Sequence, residues 1–213
     1  MFIKNFYDMK RLFLFALTMF FSVGVFAQDV VAELENKDSV KISHLKYENI
    51  EIDGAVTDYM HKLNLLGYRN VGIEKGVGIL MANIMGCRNA IVNVASSHAN
   101  TSVYAVSVCY TYAQKEADLD ENYSTIIADL TKKYGEPTAE NDGTFSEFIY
   151  PGYESGWRNT KLIKDCMFTT DEGYIKIAVF QRNIFTLNIV YADKVNYQKA
   201  KIERLSAKSD NSK

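Results

Sequence analysis

The apolar positions of this chain recur first at helical and then at strand spacing, twice over. Residues 122–137, NYSTIIADLTKKYGEP, carry the clearest helix: Tyr123, Ile126, Ile127, Leu130 and Tyr134 fall at i, i+3, i+4, i+7 and i+11 and make one stripe. Asp118, Asp120 and Glu121 suit its first turn through the helix dipole, and Lys132 and Lys133 favour its end. Gly135 supplies a left-handed cap and Pro137 forbids continuation. A weaker twin covers residues 54–68, where Val56, Tyr59, Met60, Leu63 and Leu66 share a face and Gly67 stops the helix.

Around the helices the period drops to two. Residues 42–52 read as one strand with an irregularity at Glu48-Asn49, and Asp53-Gly54 ends it. Strands follow the first helix at residues 71–73, 78–84, 90–96 and 102–112, with turns at 74–76, 85–88 and 97–101. The last strand is the most regular, with Tyr104, Val106, Val108, Tyr110 and Tyr112 on one face and Val103, Ala105, Ser107 and Cys109 on the other. After the second helix come strands at 144–150, 162–169, 174–181 and 185–191, with turns at 141–143 and 171–173. Val195, Tyr197, Ala200, Ile202 and Leu205 predict a short, frayed terminal helix.

This order predicts an α+β fold of two tandem α/β repeats, with both helices packed on one face of a mainly antiparallel sheet. The ordered domain is expected over residues 41–197, with repeat one at 41–112 and repeat two at 120–197. A flexible lead-in at 28–40 and a frayed or disordered tail at 198–213 flank it.

Composition changes the picture mainly at the start. The chain has 213 residues, 47% hydrophobic and 23% charged, which is ordinary for a globular protein. In residues 1–27, however, Lys4, Lys10 and Arg11 precede an uncharged apolar run that ends in Val25-Phe26-Ala27. A basic region, an apolar stretch and small residues at −3 and −1 predict a signal peptide cleaved after Ala27, and hence a periplasmic or extracellular protein. The alternative is an uncleaved anchor, although the run is shorter than the roughly 20 residues of a spanning helix. Beyond residue 27 there remain 21 Lys and Arg against 25 Asp and Glu, and no second apolar segment of spanning length. That balance is no footprint for nucleic acid or an anionic membrane.

The run HLKYENIEIDG from His44 to Gly54 resembles the opening of a group of secreted Bacteroidetes proteins, whose mature chains begin with His-Leu-Lys-aromatic and Ile-Asp-Gly. The KYGEP stop at Lys133 and the IVYADKVN segment at Ile189 are similar to that group as well. Glu48-Asn49 stands where the group has Lys-Gly, and Glu51 where it has Pro. The resemblance implies location and fold, and it carries no active site across.

Catalytic and ligand motifs are sparse. His44, His61 and His98 are dispersed, without a second ligand at metal spacing, and surface or partly packed histidines account for them. Gly72, Gly76 and Gly78 have neither Walker nor dinucleotide spacing and fit a hairpin. No cofactor is implied. Three cysteines allow at most one internal disulfide. A hairpin centred near residue 98 brings Cys109 toward Cys87, and a register that sets them opposite one another makes a cross-strand disulfide possible; two separate thiols are the alternative. Five aromatics surround a Pro-Gly turn in residues 145–157, so Tyr150, Tyr153 and Trp157 form a possible recognition surface, or else they fill or cap the sheet. The function expected on these grounds is a non-catalytic secreted domain that binds a protein, peptide or glycan. The alternative is a cell-envelope hydrolase whose site is assembled from scattered residues.

Overall fold

The computed structural model describes residues 43–85, 87–97, 101–112, 116–138, 161–181 and 184–210. The single strand that alternation predicts at the start is instead a hairpin, β1 (Lys46–Tyr47) and β2 (Ile50–Glu51). Glu48 and Asn49 between them both take left-handed conformations, with φ of 51° and 61°, the geometry of a tight two-residue turn. Asn49 tolerates this conformation better than Glu48 does.

Seven further strands form one antiparallel sheet in the order β3-β4-β5-β6-β9-β8-β7. The first meander is β3 (Arg69–Glu74), β4 (Val77–Ile84), β5 (Cys87–Ser96) and β6 (Val103–Tyr112). The second is β7 (Lys161–Thr169), β8 (Gly173–Gln181) and β9 (Phe185–Asp193). Each meander starts at an edge and works inward, and the two last strands pair at the centre, with Val108 opposite Ile189. A helix precedes each: α1 (Val56–Leu65) and α2 (Glu116–Tyr134). The expected strand at 144–150 lies outside the described residues.

One face of the sheet holds the main core. Leu80, Val92, Val94, Val106, Val108, Ile175, Ile177, Val179, Leu187 and Ile189 lie on it, packed with Val56, Tyr59, Met60 and Leu63 of α1 and with Leu119, Ile126 and Leu130 of α2. Both helices therefore cover the same face, as the stripes predict. Gly78 in β4 lies directly against α1, where an added Cβ would stand 2.3 Å from Met60 Sδ and 3.2 Å from Val56 Cγ2, so that Met60 would have to shift. Leu66, grouped with the α1 stripe by its spacing, is 54% exposed. It is the cap residue of the helix, where the backbone has already left helical geometry. The α2 helix begins before the expected start, and Leu119, one turn ahead of the stripe, is buried.

The other face receives a third helix, α3 (Lys194–Asp210), which is 17 residues long where the spacing predicts a short frayed one. Ala95 pairs with Ala105 but Ser96 with Val103, so Tyr104 is an extra residue in β6. The bulge takes Tyr104 out of the Val106-Val108-Tyr110 row with which alternation groups it. Tyr104 packs instead with Ala105, Ala192, Tyr197 and Ala200, and the Arg204 guanidinium donates to its hydroxyl.

Candidate functional site

Tyr150, Tyr153 and Trp157, the expected recognition surface, lie outside the described residues. The β5–β6 register differs from the one a Cys87–Cys109 disulfide requires. Cys109 faces Ile91, four positions along β5 from Cys87, and Cys87 faces Ile84 of β4. Four strand residues span about 13 Å, against the 7 Å limit for bridged Cα atoms. All three cysteines are present as thiols. Both residues do belong to adjoining parts of one hairpin, but the turn falls later than the centre that spacing suggests.

Three constellations that spacing does not reveal come together in the fold. The first joins both ends of the domain. Asp193, fully buried, accepts from the Leu45 backbone N–H at 2.9 Å and from the Asn196 N–H at 2.9 Å, and its Oδ2 lies 3.1 Å from His44 Nδ1. It thus caps α3 through the third residue of the helix and holds the start of the domain. The Asn196 side-chain amide donates toward Ile52 O, Asp53 Oδ1 and Val103 O. A His–Asp contact invites a catalytic reading. The other ring nitrogen, however, faces a second carboxylate, Asp53 Oδ2 at 3.8 Å, while the Ser102 hydroxyl donates to Asp53. Both ring nitrogens of His44 thus face carboxylates, and Asp193 ties the Leu45 N–H to the start of α3.

The second is a polar row across the face opposite α1 and α2. Lys176 lies 2.8 Å from Asp165, and both side chains are almost wholly buried. Buried Asn188 and Ser107 continue the row, and Asn93 Nδ2 donates to Ser107 Oγ at 3.3 Å. Among the described residues there is no cluster of three or more His, Cys, Asp and Glu groups placed to hold a metal ion.

The third is the corner where α1 runs into β3, at a sheet edge. Five of the six residues of β3 are exposed. Of the nine large apolar side chains exposed among the described residues, Leu65, Leu66, Val71 and Ile73 all fall here, at 73%, 54%, 54% and 47%. The backbone beneath them is well fixed. Gly67 takes a left-handed φ of 93°, its N–H donates to Asn64 O at 2.9 Å, and the Asn64 amide donates to Tyr68 O at 2.9 Å. Tyr68 is tied to the first hairpin, with its hydroxyl 2.9 Å from Tyr47 Oη and donating to Glu48 Oε1 at 2.9 Å. Burial is the main reason the Tyr68 phenol is pushed up to about 12, with the nearby Glu48 carboxylate adding to it. Burial likewise holds Tyr47, Tyr59 and Tyr191 well above the usual tyrosine range. The corner is therefore apolar outside and hydrogen-bonded within. The opposite edge differs, because Thr138 donates its backbone N–H to Met167 O of β7 at 2.8 Å. No family model, curated protein or solved structure matches the chain.

Proposed function

We propose that the protein is an exported, non-catalytic domain that binds a protein partner through the α1–β3 corner. The observation that carries this reading is the concentration of Leu65, Leu66, Val71 and Ile73 on an ordered, terminal strand and the helix end beside it. Apolar side chains gathered in one exposed patch mark interaction sites, whereas scattered ones do not. A terminal strand adds a row of backbone donors and acceptors that a partner segment can extend. Aliphatic side chains beside a strand edge suit a polypeptide better than a sugar, for which stacked aromatic rings are the usual platform. Export rests on the basic-apolar-small pattern of residues 1–27, and the resemblance to secreted Bacteroidetes proteins supports it. On the same reading the two helix-plus-meander halves are one unit used twice, and their pairing through β6 and β9 supports that.

The test places a photo-reactive amino acid at position 73 in intact cells, with the same group at Thr125, exposed on α2, as control. A protein adduct specific to position 73 is expected. Irradiation that yields none overturns the reading.

A further inference from the structure

The partner that fits this corner can be named from β3 itself. We infer that it is a second copy of the chain, paired antiparallel through β3 so that two seven-stranded sheets become one; this rests on the reading of the corner as a protein-binding surface.

The argument begins with the irregularity in β3. Arg69 and Asn70 face Met81 and Leu80, but Gly72, Ile73 and Glu74 face Ile79, Gly78 and Val77, so Val71 is an extra residue. In a regular strand residues 69 and 74 point to opposite faces. With Val71 bulged out, Arg69 and Glu74 share a face, since their partners Met81 and Val77 do. Asn70 and Ile73 share the other.

A two-fold axis perpendicular to a sheet keeps each side chain on its own face. Two copies of β3 satisfy it with Gly72 on the axis, Asn70 opposite Ile73 of the second copy and Arg69 opposite Glu74 of the second copy. All faces then agree, and the charges meet in two opposite-sign pairs, a favourable cross-strand arrangement. Such an interface is self-complementary, as a two-fold dimer requires. Gly72 at the axis places no side chain on either face of the joint, and nothing in the same copy lies within 4 Å of the position a Cβ would take. The hydrogen-bonding phase agrees as well. Lys75 and Gly76, with φ of 49° and 79°, make a two-residue hairpin turn, so Glu74 bonds inward to Val77 and the N–H and C=O of Ile73 point outward. With the bulged Val71 left out of the count, the same alternation turns those of Asn70 outward, and these are the two residues the pairing sets opposite each other. Arg69 and Glu74 ordinarily guard an edge against foreign strands. Here their order along β3 makes them repel strands of other charge patterns and accept this one.

Sedimentation over a concentration series, on the chain as recovered from cells, tests the inference. The wild type is expected to dimerise. Arg69→Glu and Glu74→Arg should each weaken the dimer roughly tenfold or more, because each sets like charges opposite one another twice. An equimolar mixture of the two variants should recover it, since both cross-pairs become opposite in sign. Circular dichroism verifies that the exposed substitutions leave the fold intact. A wild type that stays monomeric, or a dimer indifferent to both substitutions, overturns the inference. The position-73 adduct separates the levels: a foreign protein crosslinked to a monomeric chain ends the dimer and keeps the binding corner, whereas no adduct from a monomeric chain ends both.

Discussion

Lys176 sits in the middle of β8 with its ammonium 2.8 Å from the Asp165 carboxylate, and solvent reaches only 7% and 2% of the two side chains. Desolvating both charges costs most of what their attraction returns, so removing one partner is far worse than removing both. Lys176→Met is expected to cost about 3–5 kcal/mol, and the double variant Lys176→Met with Asp165→Leu much less, as urea unfolding will measure. Asp53 contributes to stability toward acid. Burial alone raises its carboxyl, but the Gly54 N–H, the Asn196 amide, the nearby His44 and the Ser102 hydroxyl outweigh that and hold it below the ordinary 3.8. A lowered folded value means that the contribution is complete above 3.8 and disappears as pH falls below it. Half of the Asp53 side chain is exposed, which screens the effect. Thermal unfolding against pH is expected to show a shallower acid decline for Asp53→Asn than for wild type. The buried tyrosines contribute at alkaline pH with the opposite sign. Their folded values lie above the ordinary 10.0, so their contribution is complete below pH 10 and is lost as pH rises through the folded value of Tyr68, about 12. Near-ultraviolet titration should show these phenols ionising together with unfolding.

At the scale of elements, the joint between α3 and the first hairpin hangs on Asp193. Asp193→Ala removes a helix cap and strands the Leu45 N–H, with an expected cost of roughly 2–4 kcal/mol. Hydrogen exchange should rise first in α3 and around Leu45, ahead of the central strands; a uniform rise would contradict a local joint. This joint was not readable from spacing, because His44 and Asp193 are 149 residues apart and each belongs to an unremarkable local pattern. The elements themselves were largely readable. The stripe of α2 and the alternation in β4 and β5 reflect one-sided burial, which leaves a period in the chain, whereas β6, β8 and β9 are buried on both faces. The misreadings have the same origin. Bulges at Tyr104 and Val71 shift the period by one residue; Gly72 marks the second, as an isolated glycine in a strand does, while no residue type marks the first. The β5–β6 turn lies later than symmetric spacing suggests, which moves Cys109 away from Cys87. The length of α3 was hidden because it buries a narrow strip of Tyr197 and Ala200 with Tyr104, too sparse to imprint a full helical stripe. The candidate corner left a signal in Leu65-Leu66 and Val71-x-Ile73, but apolar residues read as buried until the edge position of β3 is known.

Across the whole molecule, α1 and α2 rest on one continuous core, to which both meanders contribute. The halves should therefore unfold together. Ile177→Ala, in the second meander, is expected to cost about 2–5 kcal/mol and to lower protection in β4 and β5 as much as in β8. Unequal loss between the halves would show that each is stable on its own. The pairing of β6 with β9 carries a further consequence for synthesis. The strand that fills the middle of the sheet is the last to be made, and until residues 185–193 have appeared β6 and β8 each present a bare, apolar margin. A nascent chain must hold two unjoined halves apart from other chains through most of its elongation, with the non-local β6–β9 contact formed late and slowly. Chains stopped just short of β9 should thus be the ones that aggregate, while a chain missing only its final residues should close normally.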